Sequence, residues 1–402
     1  MQLKRLILTA VFGFACLAGF AQSKSNFVPQ KDLLATIRKN ITDADAQYKL
    51  MATLLKPNEF PKAYHPKESR METSNSGWWC SGFYPGTLLQ IYQQNHDQAL
   101  LTEAERILAV LAKEQYNTHT HDLGFMMYCS FGNANAIAPK PEYKQVLINS
   151  AKSLATRFSP VTGTIRSWDS KPADYLVIID NMMNLELLFW ATKVTGDSSY
   201  YKIAVTHANN TIKNHYRPDY SSYHVVNYDA QTGAVKERKT AQGFANESAW
   251  ARGQAWGLYG FTMTYRETKD KRYLDQAKGI AKFILNNPKL PADKVPYWDY
   301  NAPDKPTPLR DASAAAITAS ALLELCRYVD KTEGQTYFSA AQTIIANLSS
   351  PTYKSAPGSN GGFLLQHSLG HLPAGTEIDV PLTYADYYFV EAMARYKAFA
   401  KK

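Results

Sequence analysis

Residues 175–216 read YLVIIDNMMNLELLFWATKVTGDSSYYKIAVTHANNTIKNHY, and this stretch decides the architecture. Its first part, residues 177–195, is apolar nearly all round over a helical length, so a helix there must be enclosed by protein. After a short polar turn, residues 198–215 carry their apolar positions on one side only, the pattern of a helix that covers a core and faces water. Together they predict a hairpin of one inner and one outer helix.

The junction recurs along the chain. KVTGDSSYY, RETKDKRYL and VDKTEGQTYF each follow a buried-type run, and each places a tyrosine four residues before an alanine: Tyr200 and Ala204, Tyr273 and Ala277, Tyr337 and Ala341. Residues four apart stack on one helix face. Helical periodicity is read near residues 30–55, 84–95, 100–114, 123–137, 142–157, 177–195, 198–215, 248–267, 271–286, 312–329, 334–348 and 382–399. Twelve helices make six hairpins, and a closed (α/α)6 ring leaves no terminal hairpin with an uncovered apolar side. The predicted fold class is therefore all-α, with one β-hairpin expected in YSSYHVVNYDAQTGAVKERK around Thr232-Gly233. Irregular stretches at residues 288–308 and 349–381 are expected to gather at one mouth of the ring.

Composition supports a folded chain: of 402 residues, 45% are hydrophobic and 20% charged. Lys4 and Arg5 precede an apolar run over residues 6–20 that ends in Gly19-Phe20-Ala21, which reads as an export signal over residues 1–21. Residues 22–402 are then expected to form a single domain, since no linker interrupts them. A lipid anchor through Cys16 is the alternative, with Gly13-Phe14-Ala15 a poor match to the required pattern. The apolar run is shorter than the roughly 20 residues that a membrane span needs, so no membrane insertion is expected and the exported chain is placed in the periplasm. Removing the two basic residues of the leader takes the formal charge from +9 to +7. The basic residues that remain are scattered, with no Lys/Arg-rich stripe, which argues against nucleic acid as a partner.

Several chemistries are excluded by missing motifs. Cys-x-x-Cys, His-Glu-x-x-His, a phosphate loop and a Gly-x-Ser-x-Gly elbow are all absent. His119, His121 and Asp122 form one candidate metal cluster, and His367 with His371 another, but neither has a third ligand at sensible spacing. No metal or cofactor is therefore expected. Cys80, Cys129 and Cys326 are an odd set that implies no disulfide framework.

Two acids stand alone in apolar surroundings, Asp122 in HTHDLGFMMYCSFGNA and Asp180 in YLVIIDNMMNLELLFWA. Each has two readings, a helix N-cap or a titrating acid whose carboxyl is raised toward neutrality by burial and by a facing carboxylate. Pairs of the second kind serve glycoside chemistry. An aromatic and polar set accompanies them: Trp78-Trp79, His224, Gln242, Trp250, Arg252 and Trp256. Indole rings stack on sugar faces and a guanidinium grips a carboxylate in two places, which suits an acidic sugar. The alternative for residues 242–261 is a core helix packed through Gly253, Gly257 and Gly260, with Arg252 paired to an internal acid.

WWCSGFYPG, HDLGFM, IIDNMMNLELLFWA, QGFANESAWARGQAWGLYGF, DASAAAITASALLEL and ADYYFVEAM, taken together, resemble the unsaturated glucuronyl hydrolases, glycoside hydrolase family 88. The resemblance implies an (α/α)6 barrel with its long loops at one mouth. It also implies an enzyme that removes a C4=C5-unsaturated uronate from lyase-generated oligosaccharides. Position by position it makes Asp180 the general acid/base and Asp122 the second essential carboxylate, with His121 beside it. Trp79, His224, Gln242, Trp250, Arg252 and Trp256 correspond to pocket positions, and Thr240 to a substrate-contacting loop. LLQHSLGHLPAGTEIDVPLTYADYYF departs from the family pattern at the leaving-sugar side. Other readings are an unsaturated rhamnogalacturonyl hydrolase of the same ring fold, and a glycan-binding protein without turnover.

Overall fold

The computed structural model describes residues 27–304 and 306–401. The expected leader and Cys16 lie outside the described residues.

Twelve α-helices occur among the described residues, and they fall into two concentric sets. The inner set is α2 (Phe83–Asn95), a π-helical run Gly124–Gly132 continued by α4 (Asn133–Ile137), α6 (Leu185–Thr195), α8 (Ala251–Thr268), α10 (Ala312–Leu325) and α12 (Thr383–Ala398). The outer set is α1 (Lys31–Leu54), α3 (Gln98–Leu111), α5 (Pro141–Ala155), α7 (Ser198–His215), α9 (Lys271–Leu285) and α11 (Lys331–Leu348). Each inner element touches the next, and α12 returns to α2, so the ring closes. The chain's first and last helices, α1 and α12, pack together as the sixth pair. This is an (α/α)6 barrel, as the helix count predicts.

Burial follows the two sequence patterns. Every residue of α10 is buried, as is α8 from Ala251 to Thr264, whereas α9 buries one stripe, including Tyr273, Ala277 and Ile280. Tyr200, Tyr273 and Tyr337 and their alanine partners are all buried, which confirms the stacked pair at each junction. The junction aspartates supply the starts of the outer helices. Asp197 accepts from the Ser199 amide at 2.8 Å, Asp270 from Arg272 at 2.9 Å and Asp330 from Glu333 at 3.0 Å. Each satisfies one of the amides that a helix N-terminus leaves unpaired.

The strands depart from expectation in two places. The expected hairpin is present as β6 (Val225–Asp229) and β7 (Val235–Lys239), with Gly233 at a left-handed φ of 73° in its turn. A third strand, β5 (Asp174–Ile178), pairs antiparallel with β6 and matches Ile178 to Val225. Residues 177–178, expected as helix, are therefore strand, and a tight 3-10 turn Ile179–Asn184 leads into α6. Short hairpins β1 (Phe60–His65) with β2 (Arg70–Ser74), and β3 (Phe158–Ser159) with β4 (Thr164–Ile165), escape the periodicity reading.

Candidate active site

The turn carrying Asp180 is pressed against α8, and glycines make the approach possible. A Cβ on Gly260 would lie 2.5 Å from Met182 Cβ, and one on Gly253 would lie 3.2 Å from Ile179. On the other side a Cβ at Gly124 would meet the Asn184 backbone at 2.4 Å, so the π-helical run behind Asp122 closes on the same turn. Both acids thus arrive at the ring's centre on segments that touch. Neither is an N-cap: no side chain caps the 179–184 turn or the run beginning at Gly124. The aspartate that caps an inner helix is Asp311, whose Oδ1 accepts from the Ser313 amide at 3.0 Å.

Asp122 and Asp180 line a cavity of about 350 Å³, together with Trp79, His121, Gln242 and Arg252. Burial pushes the Asp122 carboxyl up to about 7, against hydrogen bonds from Asn184 and Thr120 and the field of Arg157. Burial likewise raises Asp180 to about 7; Arg252 pulls it down and Asp122 pushes it up. Two carboxyls that each titrate near neutrality and feel one another form a pair able to hold and release a proton.

Histidines around the pair are neutral. His224 Nδ1 accepts from the amides of Ala241 at 3.1 Å and Gln242 at 3.2 Å, so its proton is assigned to Nε2. That nitrogen points at Asp180 Oδ1 from 3.6 Å, longer than a formed hydrogen bond. Burial holds the His224 imidazole well below its ordinary value, and it takes His121 down to about 3. His121 Nε2 lies 3.2 Å from Asp122 Oδ1.

Arg252 meets the internal-acid reading and also lines the cavity. Its side chain is 1% exposed and pairs at 3.1 Å with Asp311, itself 0% exposed, so it has the internal acid partner. It also reaches the cavity and holds two carbonyls of the 367–380 loop, Leu369 O at 2.5 Å and Gly370 O at 2.7 Å. Three of its five N–H groups are thereby used, and two remain. Trp250 stacks behind it, with the guanidinium carbon 4.4 Å from the ring centroid and the His224 ring 4.6 Å from the indole.

Four expected pocket residues do not line the cavity. His224 and Trp250 form its backing, Trp256 lies fully buried between Phe125 and Tyr388, and Thr240 folds its loop by accepting from the Gly243 amide at 2.7 Å. The lining in turn includes residues that sequence reading left out. Trp168 comes from the loop before β5, Tyr384 from the start of α12, and Lys62 from β1. His371, Thr376 and Glu377 come from the 367–380 loop. Tyr384 immediately precedes the ADYYF motif, a signal that was available; Lys62 and Glu377 carry none, and Trp78, named with Trp79 in the aromatic set, does line the cavity. His371, a metal candidate by spacing, hydrogen-bonds Ala241 O at 2.9 Å through Nε2, and His367 pairs with Asp379 at 2.7 Å. No group of three or more His, Cys, Asp or Glu side chains suited to a metal occurs among the described residues.

Similarity to known proteins agrees with this geometry. The profile of Glycosyl Hydrolase Family 88 matches residues 56–388. An unsaturated glucuronyl hydrolase of Formosa agariphila is 46% identical over 341 residues, 84% of this chain and 84% of that protein. A crystal structure of an unsaturated glucuronyl hydrolase specific for heparin superposes with a TM-score of 0.88 at 46% identity, covering 92% of this chain and 98% of the other. The Streptococcus agalactiae unsaturated glucuronyl hydrolase, as an Asp-to-Asn mutant complexed with dGlcA-GalNAc6S, gives a TM-score of 0.77 at 30% identity, covering 89% of this chain and 90% of the other. With both acids at the centre of the ring, a match over most of its length means that this chain belongs to glycoside hydrolase family 88 and is a glycosidase.

Proposed function

We propose that this glycosidase removes a Δ4,5-unsaturated uronate from the non-reducing end of lyase-generated oligosaccharides, by hydrating its vinyl ether. The observation that carries the reading is the pair of buried carboxyls, Asp122 and Asp180, both raised to about 7 in one cavity. Asp180 protonates C4, and positive charge develops at C5 and the ring oxygen. Water adds at C5 as the Asp180 carboxylate takes its proton. The resulting C5 hemiketal opens to a ketone, which turns C1 into a hemiacetal that expels the reducing sugar. The products are that sugar and a 4-deoxy-5-keto-uronate. No charge needs trapping at C1, so the separation rule for ordinary glycosidase acids does not apply.

The other residues follow from their placement. Asp122 keeps a proton available on the pair, and the neutral Nε2–H of His224 faces Asp180. The two uncommitted N–H groups of Arg252 are the cationic donors offered to the uronate carboxylate. Trp79, braced by Phe83, Phe125 and Tyr384 with ring centroids 5.0 to 5.8 Å away, presents an apolar face to the sugar. Residues 1–21 are read as an export signal that places this step in the periplasm, downstream of secreted or surface lyases.

Loss of the conjugated ultraviolet absorbance of an unsaturated disaccharide reads the reaction directly. Asp180→Asn is expected to abolish that loss while equilibrium binding of the disaccharide survives. Normal turnover by the variant would refute the assignment.

A further inference from the structure

Behind the acid pair sits a buried cation that the hydration chemistry leaves unused. Arg157 comes two residues after α5; its side chain is 6% exposed and stands outside the cavity lining. Its Nη1 donates to Thr118 O at 2.9 Å, its Nε to Arg166 O at 2.9 Å, and its Nη2 to Ser167 O at 3.2 Å and to Asp169 Oδ1 at 3.0 Å. Of these partners Asp169 alone is charged, and its side chain is 57% exposed, so water screens it. One guanidinium thus closes on three main-chain carbonyls from two segments of chain.

Both segments lead into the site. Thr118 lies in the irregular stretch that reaches Asp122 four residues later. The other segment carries Trp168, which lines the cavity and meets the His224 ring edge-on, with centroids 5.9 Å apart. Beside it, Ser167 is held from two directions. Its carbonyl accepts from Arg157, while its amide donates to Leu176 O at 2.8 Å and its Oγ accepts from the Ile178 amide at 2.9 Å and from Asn181 Nδ2 at 3.0 Å. Asn181 follows Asp180, so Arg157 reaches the acid turn through one serine. It also acts on the other acid by charge. Burial pushes Asp122 up to about 7, and after hydrogen bonds from Asn184 and Thr120, Arg157 is the charge that works against it. The other titratable or charged groups facing Asp122 are His121 on its own loop, Asp180 on the 179–184 turn, and Arg252, Lys62, His371 and Glu377 across the cavity. Arg252 acts on Asp180 from within the cavity, whereas Arg157 acts on Asp122 from behind it.

We propose that Arg157 is a positioning residue for the hydration step: its fork holds the 118–122 stretch, the Trp168 segment and, through Ser167, the Asp180 turn in one arrangement, and its charge acts on the acid pair through Asp122. The inference rests on the uronate-hydrolase reading above. A lysine at this position would keep the charge, but its single ammonium cannot span the carbonyls of Thr118, Arg166 and Ser167 together. A methionine would keep neither fork nor charge. Loss of the charge lets Asp122 hold its own proton to higher pH. A neutral Asp122 does not repel the Asp180 carboxylate, so Asp180 then gives up its proton at lower pH.

The test follows absorbance loss of an unsaturated disaccharide, with kcat taken per folded molecule from the unfolding curve of each preparation. Arg157→Lys is expected to lose roughly tenfold in kcat with KM within about twofold of wild type, and its profile of kcat/KM against pH should bend where the wild-type profile does. Arg157→Met should lose roughly a hundredfold in kcat and bend at lower pH. In an Asp122→Asn background, Arg157→Met should leave the bend where Asp122→Asn alone puts it. Wild-type kcat in Arg157→Lys would overturn the positioning role, and that variant decides the question if Arg157→Met fails to fold. A bend that stays fixed or moves upward in Arg157→Met, or that moves further in the Asp122→Asn background, would overturn action through Asp122. If the wild-type enzyme leaves the absorbance of the disaccharide unchanged, the uronate-hydrolase reading itself fails, a result distinct from any of these.

Discussion

The acid role of Asp180 can be tested through pH alone. An aspartate at the ordinary 3.8 is protonated at pH 7 in roughly one molecule in 1,600, whereas one at about 7 is protonated in half, so the environment of Asp180 enlarges the competent fraction by roughly 800-fold. Burial supplies most of that shift, Arg252 opposes it and the Asp122 charge adds to it. A reaction that begins with proton donation requires the protonated form. The profile of kcat/KM against pH should therefore be level below neutrality, bend near pH 7, and fall about tenfold per unit above it. Because the two acids interact, the bend belongs to the pair. Asp122→Asn removes the charge that helps Asp180 keep its proton, so the bend of its residual activity should move to lower pH. The assay is initial-rate absorbance loss of an unsaturated disaccharide at substrate concentrations well below KM, across overlapping buffers. A plateau that continues to about pH 9, or a bend that moves upward in Asp122→Asn, would refute proton donation by a desolvated carboxyl.

Three other outcomes follow from the same contacts. Arg252→Ala should raise KM and lower kcat/KM for uronates more than for a neutral sugar analogue. It should also cost about 3–5 kcal/mol of stability by thermal unfolding, because Asp311 is left buried without its partner. Gly260→Ala drives a Cβ into Met182 at 2.5 Å and so displaces the turn bearing Asp180; kcat should drop along with about 1–3 kcal/mol of stability, and an unshifted melting curve would contradict that packing. In wild-type protein Asp180 binds a proton more tightly folded than unfolded, so its contribution to stability is full below pH 3.8 and is lost as pH rises through about 7. Buried neutral histidines such as His207, lowered to about 3 by burial, titrate with the opposite sign, so the quantity to measure is the difference between Asp180→Asn and wild type. In urea titrations that difference should grow in favour of the variant from about pH 4 to 7, by up to about 4 kcal/mol, and then level off.

The ring was legible because its rules are local. An all-round apolar run, a polar turn ending in a capping aspartate and a one-sided stripe each announce themselves within twenty residues, and repetition of the Tyr–Ala junction ties the hairpins into a series. The misreading at residues 177–178 has the same origin. LVII is as apolar as the helix that follows, and over so few residues period cannot separate a strand from a helical turn; the partner strand β6, some fifty residues later, decides it.

Site residues divide along the same line. Asp180 declared itself because desolvation is written in its own neighbours, Ile178, Ile179, Met182 and Met183, whatever the ring does around it. Arg252 was half-readable: the glycine-thinned helix was visible, but Asp311 and the two carbonyls that it holds belong to distant segments. Lys62 and Glu377 gave no signal because each is unremarkable in its own loop, and their pairing exists only once closure of the ring lays the 367–380 loop over β1. The surroundings of Asp180 are thus specified by short-range sequence, while the Lys62–Glu377 side of the cavity is specified by a distant loop laid against β1. Glu377 and the Gly370 that makes room for it both belong to the 367–380 loop, whereas Asp122 and Asp180 sit on segments that pack against the inner helices, so the two parts of the lining rest on separate stretches of chain.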